Sequence, residues 1–478
     1  MSRTTDRSAG WPAACLALLI SPPVDVSLDA RPTLYYYLEC ATGGLSCSQA
    51  DVRALLGEIF GRESASQLEA RWASVLDKYT IEAQLRAPPA GADSPDLEPA
   101  VETLALRARI EDVLFAGGEP ERVREKLEVI LTAAEARALE AEFDAAWPAF
   151  AQWWSGHEAG WRAYAARLED LLRGEAAPVI AAAERMYGHA AGAAPVVHLL
   201  PVPVAGPVNR AFQKGSRSFV EFRPDDDAAA RVAVMLHEYC HVLFDTAPPA
   251  WRRARMEAFA AAAEPSAASA FAVMNEALAS AIGNGLFMKA HLDARRYEAY
   301  AARRESFYAN AAVDAAAKAA LPLVERYARA GSAMDRAFFD EYFRRTQAAF
   351  ADDPADPRIA LGVSQFYYTQ DSLERLAVEA TSRYGFASVY FNRWSPERNA
   401  ETIAYRFPAL PVALVATESD YRPALEGLVP GADLPVVDGR RSVSCKRRRP
   451  GGGWVYVFVV DPDELMLDIP ARIPDCSG

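Results

Sequence analysis

Residues 232–244 read Val-Ala-Val-Met-Leu-His-Glu-Tyr-Cys-His-Val-Leu-Phe, and the five at the centre, His237-Glu238-Tyr239-Cys240-His241, decide how the rest of the chain is read. The segment has the marks of a buried helix. Pro224-Asp225-Asp226-Asp227 ahead of it is a start signal, because carboxylates there cap free N–H groups and oppose the helix dipole. Pro248-Pro249 ends it. Residues four apart on a helix project from nearly one face, so the imidazoles of His237 and His241 can grip one metal ion while Glu238 reaches the water beside it. This is what catalytic zinc demands: two fixed nitrogen ligands, a carboxylate close to but off the metal, and open positions for water and substrate. The alternative, a pair of core histidines beside a helix-face Glu, buries polar groups without partners, which is costly.

Catalytic zinc also needs a third protein ligand. A histidine six residues after the second His is one known solution, but Ala247 stands there and prolines follow. A carboxylate from a later helix is the other. Glu276, 35 residues past His241, lies in Asn275-Glu276-Ala277-Leu278-Ala279 among Phe271, Val273, Met274, Leu278 and Ile282. A charge in such a stretch needs a partner, and a metal ion would be one; a half-exposed Glu at the helix edge is the other reading.

On His237-Glu238-x-x-His241 in one helix and Asn275-Glu276-Ala277 in the next, the chain resembles the gluzincins, the thermolysin-like clan of zinc metallopeptidases. The likeness covers roughly residues 195–290, reaching toward 350, and leaves both flanks out. It implies two helices packed antiparallel beside a small sheet, with a cleft along the sheet's edge strand. It also implies that Asn275 steadies His241 by a hydrogen bond, and that the strand at 216–222 holds substrate by backbone pairing. Thermolysin carries an Asp four residues after its ligand Glu, supporting a histidine. Ser280 occupies that position here, so either another group orients His237 or the metal is held more loosely, and the chain falls outside the thermolysin family proper. Clan members stabilise the oxyanion with a Tyr or His downstream of the ligand Glu. Tyr308 is the first candidate and His291 the second, with Tyr367 and Tyr368 left open.

The implied activity is a zinc-dependent peptidase: Zn²⁺ on His237, His241 and Glu276, Glu238 as general base, and a peptide or protein as substrate. Two alternatives stand beside it. One is a zinc hydrolase of a non-peptide amide; peptide deformylase shares the motif but takes an upstream Cys ligand. The other is a non-catalytic zinc-binding protein, for which a general base such as Glu238 would have no use.

The 478-residue chain is 51% hydrophobic, enough for two or three domains, and its net charge of −13 speaks against a nucleic-acid or anionic-membrane partner. Arg3 and Arg7, the apolar stretch Trp11–Ile20, then Ser21-Pro22-Pro23 follow the order of a secretory leader, so export is expected. A short apolar run in a tail is the other reading. No later run is long enough to span a bilayer. Of six cysteines, Cys15 lies in that leader, Cys40 and Cys47 sit close together, and Cys445 and Cys476 lie near the other end. Two local disulfides would suit an exported protein and free thiols a cytosolic one; spacing does not decide. Cys240 reads as a small core residue.

The expected fold is α+β and mainly helical. It comprises a leader at 1–23, a mostly helical region at 24–175, a zincin-like catalytic core at 176–350 and a small α/β region at 351–478. Strands are expected at 24–27, 34–38, 195–204 and 216–222, and at 386–391, 411–416 and 454–460. A helix is expected at 267–282, closed by Gly283-Asn284-Gly285. Ala87–Pro95 reads as a loop, and Lys446–Gly453 as a hairpin tip. Trp147, Trp153, Trp154 and Trp161 are spaced for a buried helix seam rather than a carbohydrate platform.

Overall fold

The computed structural model describes residues 25–43, 47–77, 106–189, 196–202, 210–214, 217–262, 266–350, 357–384, 387–394, 410–429, 443–448 and 454–461, with a few single positions beyond. The expected leader, the loop at 87–95, Cys15 and Cys476 lie outside the described residues; of the hairpin tip expected at 446–453, residues 446–448 belong to a strand and 449–453 lie outside the described residues. The chain is mainly helical with two small mixed sheets. Among the described residues, no helix is long and apolar enough to cross a membrane.

After a short strand β1 (Asp25–Ser27) come α1 (Ala30–Ala41), α2 (Gln49–Phe60), α3 (Arg62–Asp77), α4 (Leu106–Ala116), α5 (Pro120–Ile130), α6 (Ala133–Arg173) and α7 (Ala177–Met186). The run at 34–38, expected as a strand, lies in α1. Asp29 caps that helix by accepting from the Arg31 N–H at 3.0 Å, and every residue from Pro32 to Ala41 is buried. A continuous apolar run carries no period, which is why the sequence reading went astray there. Helix α6 runs unbroken for 41 residues, opened by a reciprocal cap between Thr132 and Glu135. Pro148 inside it faces solvent, so the carbonyl it leaves without a donor can turn to water. Trp154 and Trp161 are buried and Trp147 and Trp153 partly so, the four joining in an aromatic seam as the spacing suggested.

The first sheet adds β2 (Val196–Pro201), β3 (Ala211–Lys214) and β4 (Arg217–Phe222) in the order β1-β2-β4-β3. β1, β2 and β4 are parallel, and β3 is the antiparallel edge. Ser218 through Phe222 are all buried because both faces of the sheet are covered. Phe219 meets Phe115 of α4 at 4.6 Å, whereas Phe222 stacks on Tyr164 of α6 at 5.0 Å. The strand at 216–222 is therefore internal; the edge position expected of it belongs to β3. One continuous hydrophobic core runs from α1 to residue 350, joining the N-terminal helices to this sheet and everything packed on it.

The chain continues with α8 (Ala228–Asp245), α9 (Pro249–Ala261), α10 (Ser266–Ala272) and α11 (Met274–Ser280). A π-helical turn, Ala281–Phe287, follows α11 and leads into α12 (Met288–His291). Gly283-Asn284-Gly285, expected to close the helix, thus lies inside a continuing one. Then come α13 (Ala294–Ala301), α14 (Ala311–Ala330), α15 (Arg336–Thr346) and α16 (Pro357–Ala360). The C-terminal region is a second sheet of β5 (Val363–Tyr368), α17 (Glu374–Tyr384), β6 (Ala387–Arg393), β7 (Val412–Ala416), α18 (Tyr421–Leu428), β8 (Val443–Arg448) and β9 (Trp454–Val459). Its strand order is β6-β5-β7-β9-β8, all parallel except β8, with a hydrophobic core on either face. Strands β5 and β8 were not foreseen.

Candidate metal centre

Helix α8 begins where the three aspartates predict. Asp227 accepts from the N–H groups of Ala229 at 2.9 Å and Ala230 at 3.3 Å, and Asp226 pairs with Arg231 at 3.0 Å. The helix packs on β3, β4, α6 and α11, so its motif is buried among apolar neighbours. Cys240 faces that core as a free thiol, pushed well above its usual range by burial.

Helix α11 runs antiparallel to α8. Contacts move from His241 to His237 to Ala233 as the chain advances from Asn275 to Gly283. Gly283 sets the spacing: a Cβ there would come within 2.5 Å of the Ala233 carbonyl and 3.0 Å of the His237 nitrogen. Only glycine permits that approach. The π-helical turn carries it, and such turns tend to occur at functional sites.

Three potential ligand atoms converge. His237 Nε2 and His241 Nε2 lie 3.0 Å apart, and Glu276 Oε2 lies 3.1 Å from the first and 3.5 Å from the second. Bonds of about 2.0–2.1 Å to a tetrahedral ion put ligand atoms about 3.3 Å apart, so the donor set has the right size for a metal. The far side of each ring is engaged as well. His241 Nδ1 faces Asn275 Oδ1 at 2.9 Å, and His237 Nδ1 faces Ser280 Oγ at 3.3 Å. Because the amide oxygen can only accept, Nδ1 of His241 carries the proton and its Nε2 lone pair points inward. The Ser280 hydroxyl can accept in the same way, so the residue that replaces Asp still contacts the ring of His237. Two inward lone pairs and a carboxylate repel one another unless a proton or a cation sits between them.

The titration behaviour agrees. Burial alone would lower the pKa of His241, but its hydrogen bond and charge interaction with Glu276 outweigh this and push it up to about 9. Burial likewise works to raise Glu276, and the two imidazoles overcome it, holding the carboxyl below its ordinary range. The proton drawn into the cluster occupies the place a metal would claim. Glu238 is raised, first by burial, and belongs to the buried group His237–Glu238–His241 that could hold a metal ion.

Tyr308 joins the cluster from the loop before α14: its ring stacks on His237 at 5.6 Å, and burial first and the charge of Glu276 next raise its pKa. His291 does not. It sits on α12, stacked on Phe287, with Nδ1 2.6 Å from Glu175. Tyr367 and Tyr368 belong to β5, where Tyr367 packs on Trp394 and its hydroxyl meets Gln365. Sequence reasoning missed β3 and the part played by Ser280. The first was available, since Ala211–Lys214, Gly215-Ser216 and Arg217–Phe222 have the pattern of a hairpin with a two-residue turn. The second was hidden by the assumption that only a carboxylate could serve.

Of the two local pairings, Cys40–Cys47 is present; Cys445 is also disulfide-bonded. Comparison with known proteins finds no matching family model, no similar curated protein and no similar solved structure.

Proposed function

We propose that the chain is a zinc-dependent peptidase of gluzincin type, with its zinc on His237, His241 and Glu276. The observation that carries this reading is the convergence of three metal-binding atoms from two helices, each ring locked from behind, with the carboxylate of Glu238 beside them and off the ring contacts. A core of this kind, with paired helices beside a small sheet that has an antiparallel edge strand, is also what a zincin fold requires.

Zinc held there would supply a Lewis acid for the scissile carbonyl and make nearby water acidic. Glu238 takes the proton from water as it adds to the carbonyl and passes it to the departing amine. Its buried position keeps bulk water from competing for that proton. The Tyr308 hydroxyl, beside Glu276, would donate to the oxygen on which negative charge develops. Among the described residues β3 is the last strand of its sheet, and its outer edge would offer backbone groups to an extended substrate, the way a further strand would bind.

The preference for a peptidase over a purely structural zinc site rests on Glu238. Glu238→Gln is expected to keep stoichiometric zinc and lower kcat on a peptide-library digest by about 10²–10⁴-fold. Unchanged turnover in this variant would remove Glu238 from the chemistry. A wild-type chain that holds zinc yet cuts nothing in the library would leave the non-catalytic reading.

A further inference from the structure

We propose that the crevice at the carboxyl ends of β5, β6 and β7 is a second binding site, one that takes a neutral hydroxyl-rich ligand, a mono- or oligosaccharide. The inference does not depend on the metal centre.

The argument begins with topology. In the order β6-β5-β7-β9-β8, the chain leaves β5 toward one side of the sheet to form β6 and returns to its other side as β7. β5 and β7 therefore flank a point where the direction of winding reverses. In open parallel sheets, ligands bind outside the strand ends at such points. A cavity of about 680 Å³ lies there, lined by Thr369, Gln370 and Asp371 after β5, Arg393 and Trp394 at the end of β6, and Asp420 after β7. That is room for a ligand of one or two sugar rings.

The lining is built. The Gln370 amide donates to Asp420 at 2.7 Å and to Thr417 at 3.3 Å, tying the two loops together. Ser419 donates to the same Asp420 carboxylate at 2.9 Å, and Arg393 pairs with Asp371 at 3.2 Å. These planar amide, carboxylate and guanidinium groups accept and donate in pairs, which suits vicinal hydroxyls. With two carboxylates against one guanidinium, the lining disfavours an anion, even though α17 and α18 start at this end of the sheet.

Trp394 gives the second, independent observation. It is 8% exposed, and its indole N–H finds no acceptor among the described residues. Buried donors of that kind are normally matched. Its six-membered ring is fixed by Gly427, where a Cβ would fall 2.6 Å from Cζ2, and it packs on Tyr367 at 6.3 Å. A rigid aromatic with an unused donor, lining a polar crevice, fits a sugar ring and its oxygens.

The test uses the full chain labelled with ¹⁵N, with the Trp394 indole resonance identified by its loss in Trp394→Phe. The probes are maltose, cellobiose and diacetylchitobiose, with inorganic phosphate as the anionic arm. We expect at least one disaccharide to shift that resonance saturably, and Gln370→Ala and Asp371→Asn each to weaken binding tenfold or more. Asp371 has a side chain 74% exposed, so its variant probes ligand contact without disturbing the core. Zinc content should be the same in both variants. A resonance that no disaccharide moves, one that phosphate moves instead, or variants that bind like the parent would overturn the proposal.

Discussion

Two carboxylates that pack against the same core, Glu221 and Glu276, differ in exposure and in what faces them: the Glu276 side chain is 37% exposed. Glu221, 1% exposed on β4, is met by donors: the Tyr36 hydroxyl, the Ser48 hydroxyl at 2.9 Å and the Ser48 N–H at 3.3 Å. Every group there has a complement from the chain itself, so the cluster is closed and serves to join α1 and the start of α2 to the sheet. Glu276 is met by the Nε2 atoms of His237 and His241, whose other ring nitrogens face Ser280 and Asn275. A proton holds such a cluster together, as the raised pKa of His241 indicates, and a metal ion would claim the same place. What separates the two is therefore the kind of group that faces the carboxylate.

The comparison can be broken most directly by truncating each carboxylate. Glu276→Ala should lower zinc affinity by about 100-fold or more, past what loss of an outer partner costs. Glu221→Ala should leave zinc stoichiometry intact and lower stability instead. Metal content measured by atomic absorption after dialysis separates the two; zinc retained by Glu276→Ala would take that residue out of the site. A smaller effect sharpens the same contrast. Asn275→Ala should cost about 10–100-fold in zinc affinity. Ser280→Ala should cost less, because its contact with His237 is 3.3 Å against 2.9 Å for Asn275 with His241. Equal losses would mean that both rings are held by packing rather than by these bonds.

How much of this was legible follows from where the information is local. The helix carrying His237 and His241 could be read because its cap, its four-residue spacing and its proline stop all lie within one stretch of chain. Glu276 was reachable because a lone charge in an apolar helix is conspicuous. What lay beyond reach was set by tertiary contact. Gly283 reads as a helix terminator in isolation, yet it sits mid-helix because α8 presses against it. Leu34–Leu38 reads as a strand, yet it is helical because it is wrapped on every side and needs no alternation. Strand β5 was missed for the related reason that a strand buried on both faces shows no polar beat.

A third imidazole shows the contrast from another side. His198 on β2 is also buried, but its Nε2 faces a donor, the Arg217 guanidinium, at 2.9 Å. Burial first and Arg217 second lower its pKa to about 4. Between that value and the ordinary one near 6.5, the unfolded chain binds a proton that the folded chain refuses, so stability falls as the pH drops through this window. The span corresponds to about 3 kcal/mol at most. Urea unfolding at pH 7 and pH 4.5 should show the loss in the parent and a reduced loss in His198→Gln; an equal loss in both would assign the acid sensitivity elsewhere.

The smallest expected effect lies in the closed cluster. Tyr36→Phe removes one donor from Glu221 and leaves the fold otherwise packed as before, which should cost about 1–3 kcal/mol at pH 7. Burial already raises the pKa of Glu221, with Tyr36 and Ser48 holding it back. A raised carboxyl binds its proton more tightly in the folded chain than in the unfolded one, so its penalty grows as pH rises through the folded value and fades below it. Losing the Tyr36 donor raises that value further. The destabilisation of Tyr36→Phe should therefore shrink as the pH falls below the folded value, the reverse of the His198 trend, while zinc affinity stays at the parent level. A pH-independent penalty would mean that Tyr36 contributes packing alone, and a fall in zinc affinity would mean that the two carboxylate clusters are not separate.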